Sequence, residues 1–456
     1  MALQYDTPVT STEFAAALAT NTNISDSTAA AINSVLGLDS SASLVVAGWN
    51  GVGAVNAPVG QVIDVLSINV AGTAPVDLTL PTGTENAPVI IIDSEADVTL
   101  TIGDDAAASA RVAGDVAVAA VADVDGIARV VVGGNGDDTI TYNGTENVLV
   151  AGGAGNDTIT TDSGDDVIVT GEGNDVIDAG TGYDTIEVTA NFADFTKSVS
   201  ADGEALVLTG VNGSAGNSVT VTGGEIVTFA GGETLTIVES QEEAQALSLY
   251  QALLGRDADK DGAANFINAV DGGASLEAVV GDFLNSNEYQ TIERTDFLSD
   301  LYTGLFGRET DDTGLNGWLS VFEQGASRSD VIAGIAGSAE ASALSNDSFV
   351  SALYEAALGR DTVGAETNGW ISLLESGASR TDVANDIFAS AEANTKTNTE
   401  FVDSLFETVG GDAATKAGYL LALESGASHA DVVVSVIGQA DLNADATHVI
   451  VVPGAV

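Results

Sequence analysis

The sequence predicts a multidomain β + α protein: an N-terminal β domain that runs into a parallel β-roll, followed by an all-α repeat domain. A glycine-aspartate nonapeptide recurs between Gly133 and Glu187. A longer unit with helical apolar spacing recurs with a period of 52 residues after Glu242. The stretch before the nonapeptides has short β-branched runs separated by turn residues, which is the pattern of strands. Two internal repeats of different period therefore predict two kinds of domain.

Residues 1–42 are predicted to form a helical segment. Thr10 and Glu13 match a capping box, the side-chain and backbone exchange that begins a helix. A second apolar stretch runs from Asp26 to Leu36 and is followed by Gly37, the residue type that most often ends a helix. The segment is therefore expected to hold two short helices.

Residues 43–132 are predicted to be a β-rich domain, either a sandwich or a series of solenoid rungs. The sequence does not choose between these two folds. In the second case the block would cap the N-terminal end of the roll, because solenoids need covered ends. The predicted strands are Gln61–Val70, Val76–Leu80, Val89–Ile92, Val98–Ile102, Arg111–Val121 and Ile127–Val132.

Residues 133–187 follow the pattern G-G-x-G-x-D-x-U-x, where U is a large aliphatic residue. The pattern is intact from Gly133 to Thr141 and from Gly152 to Thr160. The copy from Tyr142 to Val150 is interpreted as degenerate, with Asn147 in the place of the aspartate. The aliphatic residues interpreted as in phase with the aspartates are Ile140, Leu149, Ile159, Ile168, Ile177 and Ile186. A flexible glycine-rich linker would have no reason to keep this phase, so a β-roll is predicted.

The residue types of the nonapeptide indicate calcium. Glycine can adopt the positive φ of turns that aim successive carbonyl groups inward. The aspartate adds a carboxylate, and Ca²⁺ is held by six to eight oxygen ligands. The candidate ligand residues are the aspartates Asp138, Asp157, Asp166, Asp175 and Asp184 and the turn glycines Gly134, Gly136, Gly153, Gly155, Gly164, Gly171, Gly173, Gly180 and Gly182.

These nonapeptides resemble the RTX, or hemolysin-type, calcium-binding repeats. The resemblance implies that each coil of the roll takes two nonapeptides and that ions lie between stacked turns. One side of the roll would stack Asp138, Asp157 and Asp175, and the other would stack Asn147, Asp166 and Asp184. The first side would hold two sites. The second would hold one site between Asp166 and Asp184 and another in which Asn147 replaces an aspartate, so we expect about three calcium ions.

Residues 188–240 are predicted to form a β cap that closes the roll. The segment from Glu225 to Ile237 resembles the piece that often ends RTX rolls. The predicted strands of the cap include Ala205–Leu208, Val219–Val221, Glu225–Phe229 and Thr234–Val238.

Residues 241–441 are predicted to be four helical repeats, each of about three short helices with a serine N-cap. Each copy has an aromatic residue near its middle, at Phe266, Trp318, Trp370 and Tyr419, which we interpret as core. Gly-Arg pairs at Arg256, Arg308 and Arg360 recur together with Glu288, Glu340 and Glu392. We expect one ion pair within each of these copies, and the fourth copy carries Asp412 instead. The copies resemble a helical repeat domain of unknown function from secreted and surface-layer-like bacterial proteins.

The segment from Asp257 to Gly262 looks like the start of an EF-hand loop. Its twelfth position is Asn268, where a calcium-binding loop needs a bidentate glutamate. A turn that connects two helices is therefore the favoured interpretation.

The charge and composition limit the possible binding partners. The chain has 67 acidic and 12 basic residues, a net charge of -55, and no cysteine. Nucleic acid is therefore excluded as a partner, and divalent cations are favoured. No apolar stretch is long enough to span a bilayer, so membrane insertion is not expected. The N-terminus lacks the features of a signal peptide.

The RTX resemblance implies type I secretion, which reads an uncleaved C-terminal signal. Residues 442–456 are the candidate for that signal. The expected location is therefore extracellular, at the bacterial cell surface.

The sequence predicts no enzyme. The two histidines, His429 and His448, stand outside any metal or triad pattern. The β region offers only Arg111, Arg129 and Trp49 to line a substrate. The predicted function is a secreted, calcium-binding structural protein that self-assembles as a surface layer or matrix filament. The alternatives are a monomeric adhesin or glycan-binding protein and, third, a polysaccharide-modifying enzyme.

Overall fold

The computed structural model describes residues 8–21, 23–38, 43–57, 60–103, 126–409, 412–439 and 447–453. The chain forms two compact units. The first comprises Met1–Ala244, Asp257–Ala263 and His448–Val456, and the second comprises Gln245–Arg256 and Ala264–Thr447. The first is built mainly of strands and the second of helices.

Two helices precede most strands of the first unit: α1 (Ser11–Leu18) and α2 (Asp26–Leu36). The capping box predicted at Thr10 and Glu13 is present. Gly37 ends α2 with a φ of 58°, as predicted. The strands are β1 (Val9–Thr10), β2 (Ser43–Leu44), β3 (Val46–Trp49), β4 (Val65–Ile68), β5 (Val76–Leu78), β6 (Val89–Ile92), β7 (Val98–Ile102), β8 (Arg129–Val132), β9 (Thr139–Tyr142), β10 (Val148–Ala151), β11 (Thr158–Thr160), β12 (Val167–Val169), β13 (Asn174–Asp178), β14 (Thr185–Val188), β15 (Phe195–Val199), β16 (Leu206–Gly210), β17 (Ser218–Thr222), β18 (Ile226–Phe229), β19 (Thr234–Val238) and β20 (Val449–Val451).

The strands form a parallel solenoid with two long sheets. The first sheet has the order β20-β19-β18-β14-β12-β10-β8-β6-β4-β3, and the second has the order β15-β16-β17-β13-β11-β9-β7-β5. Pairing is parallel from β3 to β18 in the first sheet and from β5 to β17 in the second. The described strands before the nonapeptides, β3 to β8, therefore form solenoid rungs and not a sandwich. The strand predicted over Arg111–Val121 lies outside the described residues.

The roll continues past the last nonapeptide. Strands β17 and β18 pair in parallel with β13 and β14 and so add another coil. The antiparallel hairpin of β15 and β16 is inserted before this coil and pairs with β17. Beyond it, β19 turns back antiparallel to β18, and β20 pairs in parallel with β19. Part of the predicted C-terminal tail is thus a strand of this sheet.

Helices α1 and α2 cover the outer face of the first sheet. Phe14, Ile32 and Leu36 belong to one buried cluster with strand residues such as Val89 and Leu149. Strands alternate their side chains between two faces, so this cluster lies on the opposite side from the interior of the roll. The first sheet is therefore buried on both faces along these rungs.

The register corrects the predicted phase of the degenerate nonapeptide. Val150, not Leu149, is the partner of Ile168 in the next rung. Leu149 pairs with Val167 and belongs to the cluster under the helices. A one-residue shift reverses the face of every side chain, so the predicted assignment of Leu149 to the interior row was wrong.

Arg129 is buried in the solenoid wall. Its Nη1 donates to the carbonyl oxygens of Glu85 and Ala87, each at 2.9 Å. Trp49 is also buried. Neither side chain is placed to line an open substrate site, and Arg111 lies outside the described residues.

The helical region contains α3 (Gln241–Leu249), which continues as a π-helical turn (Tyr250–Leu254), α4 (Lys260–Asp271), α5 (Leu276–Asn285), α6 (Asn287–Phe306), α7 (Asp312–Glu323), α8 (Arg328–Ala336), α9 (Ala339–Ser342), α10 (Asn346–Leu358), α11 (Asn368–Glu375), α12 (Arg380–Phe388), α13 (Ala391–Val409), α14 (Ala413–Glu424) and α15 (His429–Gln439). The serines of the Gly-Ala-Ser motifs cap helices, as Ser275 does for α5 and Ser327 for α8. Helices recur in the same order in successive copies, so the all-α repeat prediction is confirmed.

The predicted ion pairs are present. Arg256 contacts Glu288 at 2.6 Å, and Arg308 contacts Glu340 at 2.9 Å. Arg360 makes the equivalent pair with Glu392. In the fourth copy, Asp412 instead caps α14 by accepting from the backbone of Thr415 at 2.8 Å.

The aromatic residues of the repeats serve as core. Trp318 and Trp370 pack half-buried against the hydrophobic cluster of the helical unit. Trp318 Nε1 donates to the hydroxyl of Tyr302 at 2.9 Å, and the Arg308 guanidinium lies 5.3 Å from the centre of the Tyr302 ring. The same contacts recur with Trp370 and Tyr354 in the next copy.

The segment that looks like an EF-hand loop does not form one. Helix α4 begins at Lys260, within the supposed loop. Asp259 accepts from the backbone N–H of Gly262 at 2.8 Å, as an N-cap does. Asp257 accepts from the N–H of Thr234 at 2.8 Å and contacts His448 Nδ1 at 2.7 Å. The segment is a connecting turn, which was the favoured interpretation.

Candidate calcium sites in the stacked turns

The turns between strands stack too closely to admit side chains at the glycine positions. A Cβ added to Gly171 would lie 1.8 Å from the carbonyl oxygen of Gly153, and one added to Gly153 would lie 2.1 Å from that of Gly134. Both glycines also have positive φ, at 90° and 105°. Of the remaining predicted glycines, Gly155, Gly164, Gly173, Gly180 and Gly182 have positive φ, whereas Gly134 and Gly136 are not among the positive-φ glycines. The glycines therefore bring carbonyl groups of successive turns together.

One side of the roll carries a column of three buried carboxylates: Asp138, Asp157 and Asp175. The backbone N–H of each rung donates to the carboxylate of the next. Asp138 N donates to Asp157 Oδ1 at 2.9 Å, and Asp157 N donates to Asp175 Oδ1 at 3.0 Å. Asp138 is bonded at both oxygens, to the N–H groups of Val98 and Gly134. The structure therefore brings together the three aspartates that were predicted to stack.

The other side carries a second column that differs from the prediction at both ends. Asp166 N donates to Asp184 Oδ1 at 2.7 Å, as in the first column. Asp166 Oδ1 accepts from the N–H of Val148 at 2.8 Å. Asp184 N donates to a carboxylate oxygen of Glu225, which precedes β18. The column therefore runs Val148, Asp166, Asp184 and Glu225.

Asn147 is not in this column, and its predicted role as a degenerate ligand was wrong. Its Oδ1 accepts from the N–H of Asp165 at 2.9 Å. Asp165 in turn accepts from the N–H of Tyr183 at 3.0 Å, so Asn147 begins a neighbouring, solvent-exposed column. The apolar Val148 takes the position that the aspartate has in other rungs. The site predicted between Asn147 and Asp166 therefore lacks its carboxamide ligand.

Glu225 is a candidate ligand that the nonapeptide pattern missed. It follows two glycines and stands two residues before Val227, the partner of Ile186. An acidic residue in that relation to an aliphatic one is the signal that could have identified it. The nonapeptide consensus has an aspartate at this position and no hairpin before it, so Glu225 lies outside the consensus.

In four of the six carboxyl groups of these columns, the second oxygen is buried without a hydrogen-bond partner. This holds for Oδ2 of Asp157, Asp166, Asp175 and Asp184. A buried polar atom without a partner costs about 1–3 kcal/mol, and more when it is charged. Four such atoms at equivalent positions indicate a ligand that the protein alone does not supply.

Burial raises the pKa of every carboxyl group in the two columns. The pKa of Asp138, Asp166 and Asp175 is raised to about 6, and that of Asp157 and Asp184 to about 8, with burial as the largest cause. Neighbouring carboxylates add to the rise for Asp157 and Asp184. Burial also raises the pKa of Glu225 to about 7. The roll therefore holds carboxylates in surroundings that disfavour their charge unless a cation is present.

The residues at the turns fit a calcium ion. A Cβ added to Gly152 would lie 2.4 Å from Asp157 Oδ2 and 2.9 Å from the carbonyl oxygen of Thr170, so both oxygens converge beside this glycine. Within the described ranges no group of three or more His, Asp or Glu side chains lies together as a metal site. The ligands at each turn would then be carboxylate oxygens with backbone carbonyls, both of which Ca²⁺ accepts. When bound, the ion supplies positive charge to buried carboxylates.

Comparison with protein families gives two matches. The RTX calcium-binding nonapeptide repeat matches residues 130–149 and 151–186. A domain of unknown function, DUF4214, matches residues 239–293, 289–345 and 341–397. The fourth helical copy, which lacks the arginine–glutamate pair, lies beyond these matches. A comparison with curated proteins finds no match. Among the described residues, no helix is both long and apolar enough to cross a membrane.

Proposed function

We propose that this chain, which carries RTX calcium-binding repeats and DUF4214 helical repeats, is a secreted structural protein that self-assembles at the bacterial surface or in the extracellular matrix. RTX repeats indicate a calcium-binding protein, and proteins with them are typically secreted. The observation that carries the proposal is the set of buried Oδ2 atoms without partners in the two carboxylate columns. A cation that binds these oxygens would stabilise the folded roll.

Coupled folding and binding explains why such a roll suits a secreted protein. Calcium is scarce inside the cell, so the carboxylates repel one another and the roll is unstable there. Outside, millimolar calcium binds the folded state and stabilises it by mass action. Folding then follows export.

Self-assembly needs a surface where two copies can meet despite a net charge of -55. The outer side of the second sheet is the surface where we expect two copies to meet. Its side chains alternate with the interior isoleucines and form two columns across the rungs. We name it the threonine face: Thr99, Thr139, Thr158 and Thr220 in one column and Thr101, Thr141, Thr160 and Thr222 in the other.

The threonine face carries few charges for a chain of this net charge. Neighbouring parallel strands repeat every ~4.8 Å, so the face presents a regular array of hydroxyl and methyl groups. Val176 and Asp178 on β13 and Asp77 on β5 complete the columns, and Val176 is 49 % exposed. A second copy of this chain can therefore approach here with little charge repulsion. Acidic residues elsewhere would oppose contact through other surfaces.

The test is calcium-dependent assembly of the full chain, followed by light scattering and negative-stain microscopy in millimolar calcium and in chelator. We expect sheets or filaments that dissolve on chelation. Thr101→Asp should prevent assembly because it adds charge to the threonine face, whereas Thr313→Asp adds the same charge to an exposed site at the start of α7 and should not. A compact calcium-bound monomer at high concentration would overturn the proposal.

A groove in the helical unit favours the second candidate function, a monomeric adhesin or glycan-binding protein. The groove has a volume of about 670 Å³. Phe297, Phe388 and Tyr289 line it together with Asp300 and Lys396, which contact each other at 2.6 Å. Aromatic rings beside hydrogen-bonding groups can hold a sugar ring. Binding of a glycan array by a calcium-loaded monomer would favour this function over assembly.

A further inference from the structure

The second carboxylate column extends past the nonapeptides into the extra coil. Glu225 precedes β18, and Thr185 and Ile186 pair with Ile226 and Val227. Glu225 therefore stands one rung beyond Asp184, in the place of the aspartate. It lies outside residues 130–149 and 151–186, where the repeat family matches. The hairpin of β15 and β16 separates it from the rest of the column in sequence.

The turn around Glu225 has the same features as the turns inside the roll. Glu225 is 5 % exposed and Asp184 is fully buried. Asp184 N donates to Glu225, as Asp166 N donates to Asp184. Asp184 Oδ2 has no hydrogen-bond partner. A Cβ added to Gly223 would lie 2.7 Å from the backbone N and O of Gly180, so these turns also stack closely.

The charged groups around Glu225 leave net negative charge at this turn. Asp184 and Asp165 are the neighbouring acids, and Lys260 is the neighbouring cation. Lys260 Nζ lies 3.6 Å from Asp165 Oδ2, at the outside of the roll. One lysine faces three carboxyl groups here. The buried pair of Asp184 and Glu225 therefore lacks a full counter-charge from these neighbours.

We propose that Asp184 and Glu225 form a further calcium site, which closes the second column in the extra coil. Asp184 Oδ2 and a carboxylate oxygen of Glu225 would be ligands, together with backbone carbonyls of the stacked turns. The ion would fasten β18, and through it β19, to the nonapeptide roll. This inference rests on calcium binding by the roll and is independent of self-assembly.

The test is isothermal titration of the calcium-free full chain with calcium chloride. Glu225→Gln keeps the size of the side chain and an oxygen that can accept from Asp184 N, but it removes the charge. We expect the number of bound calcium ions to fall by one, with the other ions retained. Glu172→Gln removes the same charge from an exposed residue of the roll and should leave the number unchanged.

A second variant separates ligand loss from misfolding. Glu225→Asp keeps the charge but shortens the side chain, so it should retain the ion with at least tenfold weaker affinity, while circular dichroism of the calcium-loaded protein stays unchanged. Equal stoichiometry and affinity in the wild type and Glu225→Gln would overturn the inference. If the wild type binds no calcium at all, the calcium role of the whole roll fails instead.

Discussion

The backbone N–H of Asp157 donates to Oδ1 of Asp175, one rung further along the roll, at 3.0 Å, while Oδ2 of Asp175 is buried without a partner. One oxygen of the carboxylate thus belongs to the scaffold and the other is available to a ligand. The hydrogen bond aligns successive rungs of the roll. The arrangement also places negative charge where only a cation can compensate for it.

Asp157→Asn should change stability in opposite directions with and without calcium. In calcium-free buffer near pH 7 the variant should be more stable than the wild type, because the buried carboxyl group must take up a proton or carry a charge on folding, whereas an amide does neither. In calcium it should be less stable, by about 2.7 kcal/mol if one ion is lost at calcium 100-fold above Kd. Thermal unfolding in both buffers measures this. Asp162→Asn, at an exposed position of the roll, should show no such reversal.

The calcium-free roll should become more stable as the pH falls. A carboxyl group with a raised folded-state pKa destabilises the fold at pH values above its ordinary pKa of 3.8. The cost is complete above the folded-state values of about 6 for Asp166 and about 8 for Asp184, and it disappears near pH 4. Urea unfolding in calcium-free buffer between pH 8 and pH 5 should show rising stability. A flat profile would contradict the burial of these charges.

Calcium binding near pH 7 should release protons. Asp157 and Asp184, with pKa values of about 8, are largely protonated in the calcium-free fold at this pH. A calcium ion requires their carboxylate forms, so its binding expels the protons. Titration calorimetry in buffers of different ionisation enthalpy measures the release. A heat of binding that does not depend on the buffer would show that the carboxylates were already ionised.

Asn147→Asp should not create a calcium site. Its side chain lies in the outer column with Asp165, and Val148 occupies the inner position. The number of bound ions should therefore equal that of the wild type. Asp166→Asn, in the inner column, should reduce it. If Asn147→Asp bound one more ion than the wild type, residue 147 would have to lie in the inner column, as the nine-residue repeat predicts.

The arginine–glutamate pairs should contribute little individually. Arg308 and Glu340 are 45 % and 50 % exposed, so water screens the attraction between them. A double-mutant cycle of Arg308→Ala and Glu340→Ala, measured by urea unfolding, should give a coupling energy that is small but favourable. Arg308→Lys serves as the control, because it keeps the charge but loses the second hydrogen bond. A coupling energy of zero would remove the structural role of the pair.

The repeats themselves determined most of the fold. Periodicity predicted the roll, the helical repeats and the Arg308–Glu340 pair, because each depends on contacts that recur with a fixed spacing. The capping box at Thr10 followed from a motif within one turn of helix. The sequence also predicted which aspartates would stack. These features need only that equivalent residues of successive repeats lie beside each other.

The tertiary structure decided the features of the roll that do not follow from a fixed spacing of residues. The shift that places Val148 in the inner column depends on how β10 pairs with its neighbours, since one residue more or less in a turn reverses the faces of a strand. Glu225 joins the column only because the chain returns to the roll after the hairpin of β15 and β16. The described strands before the nonapeptides form solenoid rungs because they pair in parallel with one another and, through β7 and β8, with the roll. Sequence periodicity thus determined the unit that repeats, and long-range strand pairing decided where the repeat begins, shifts and ends.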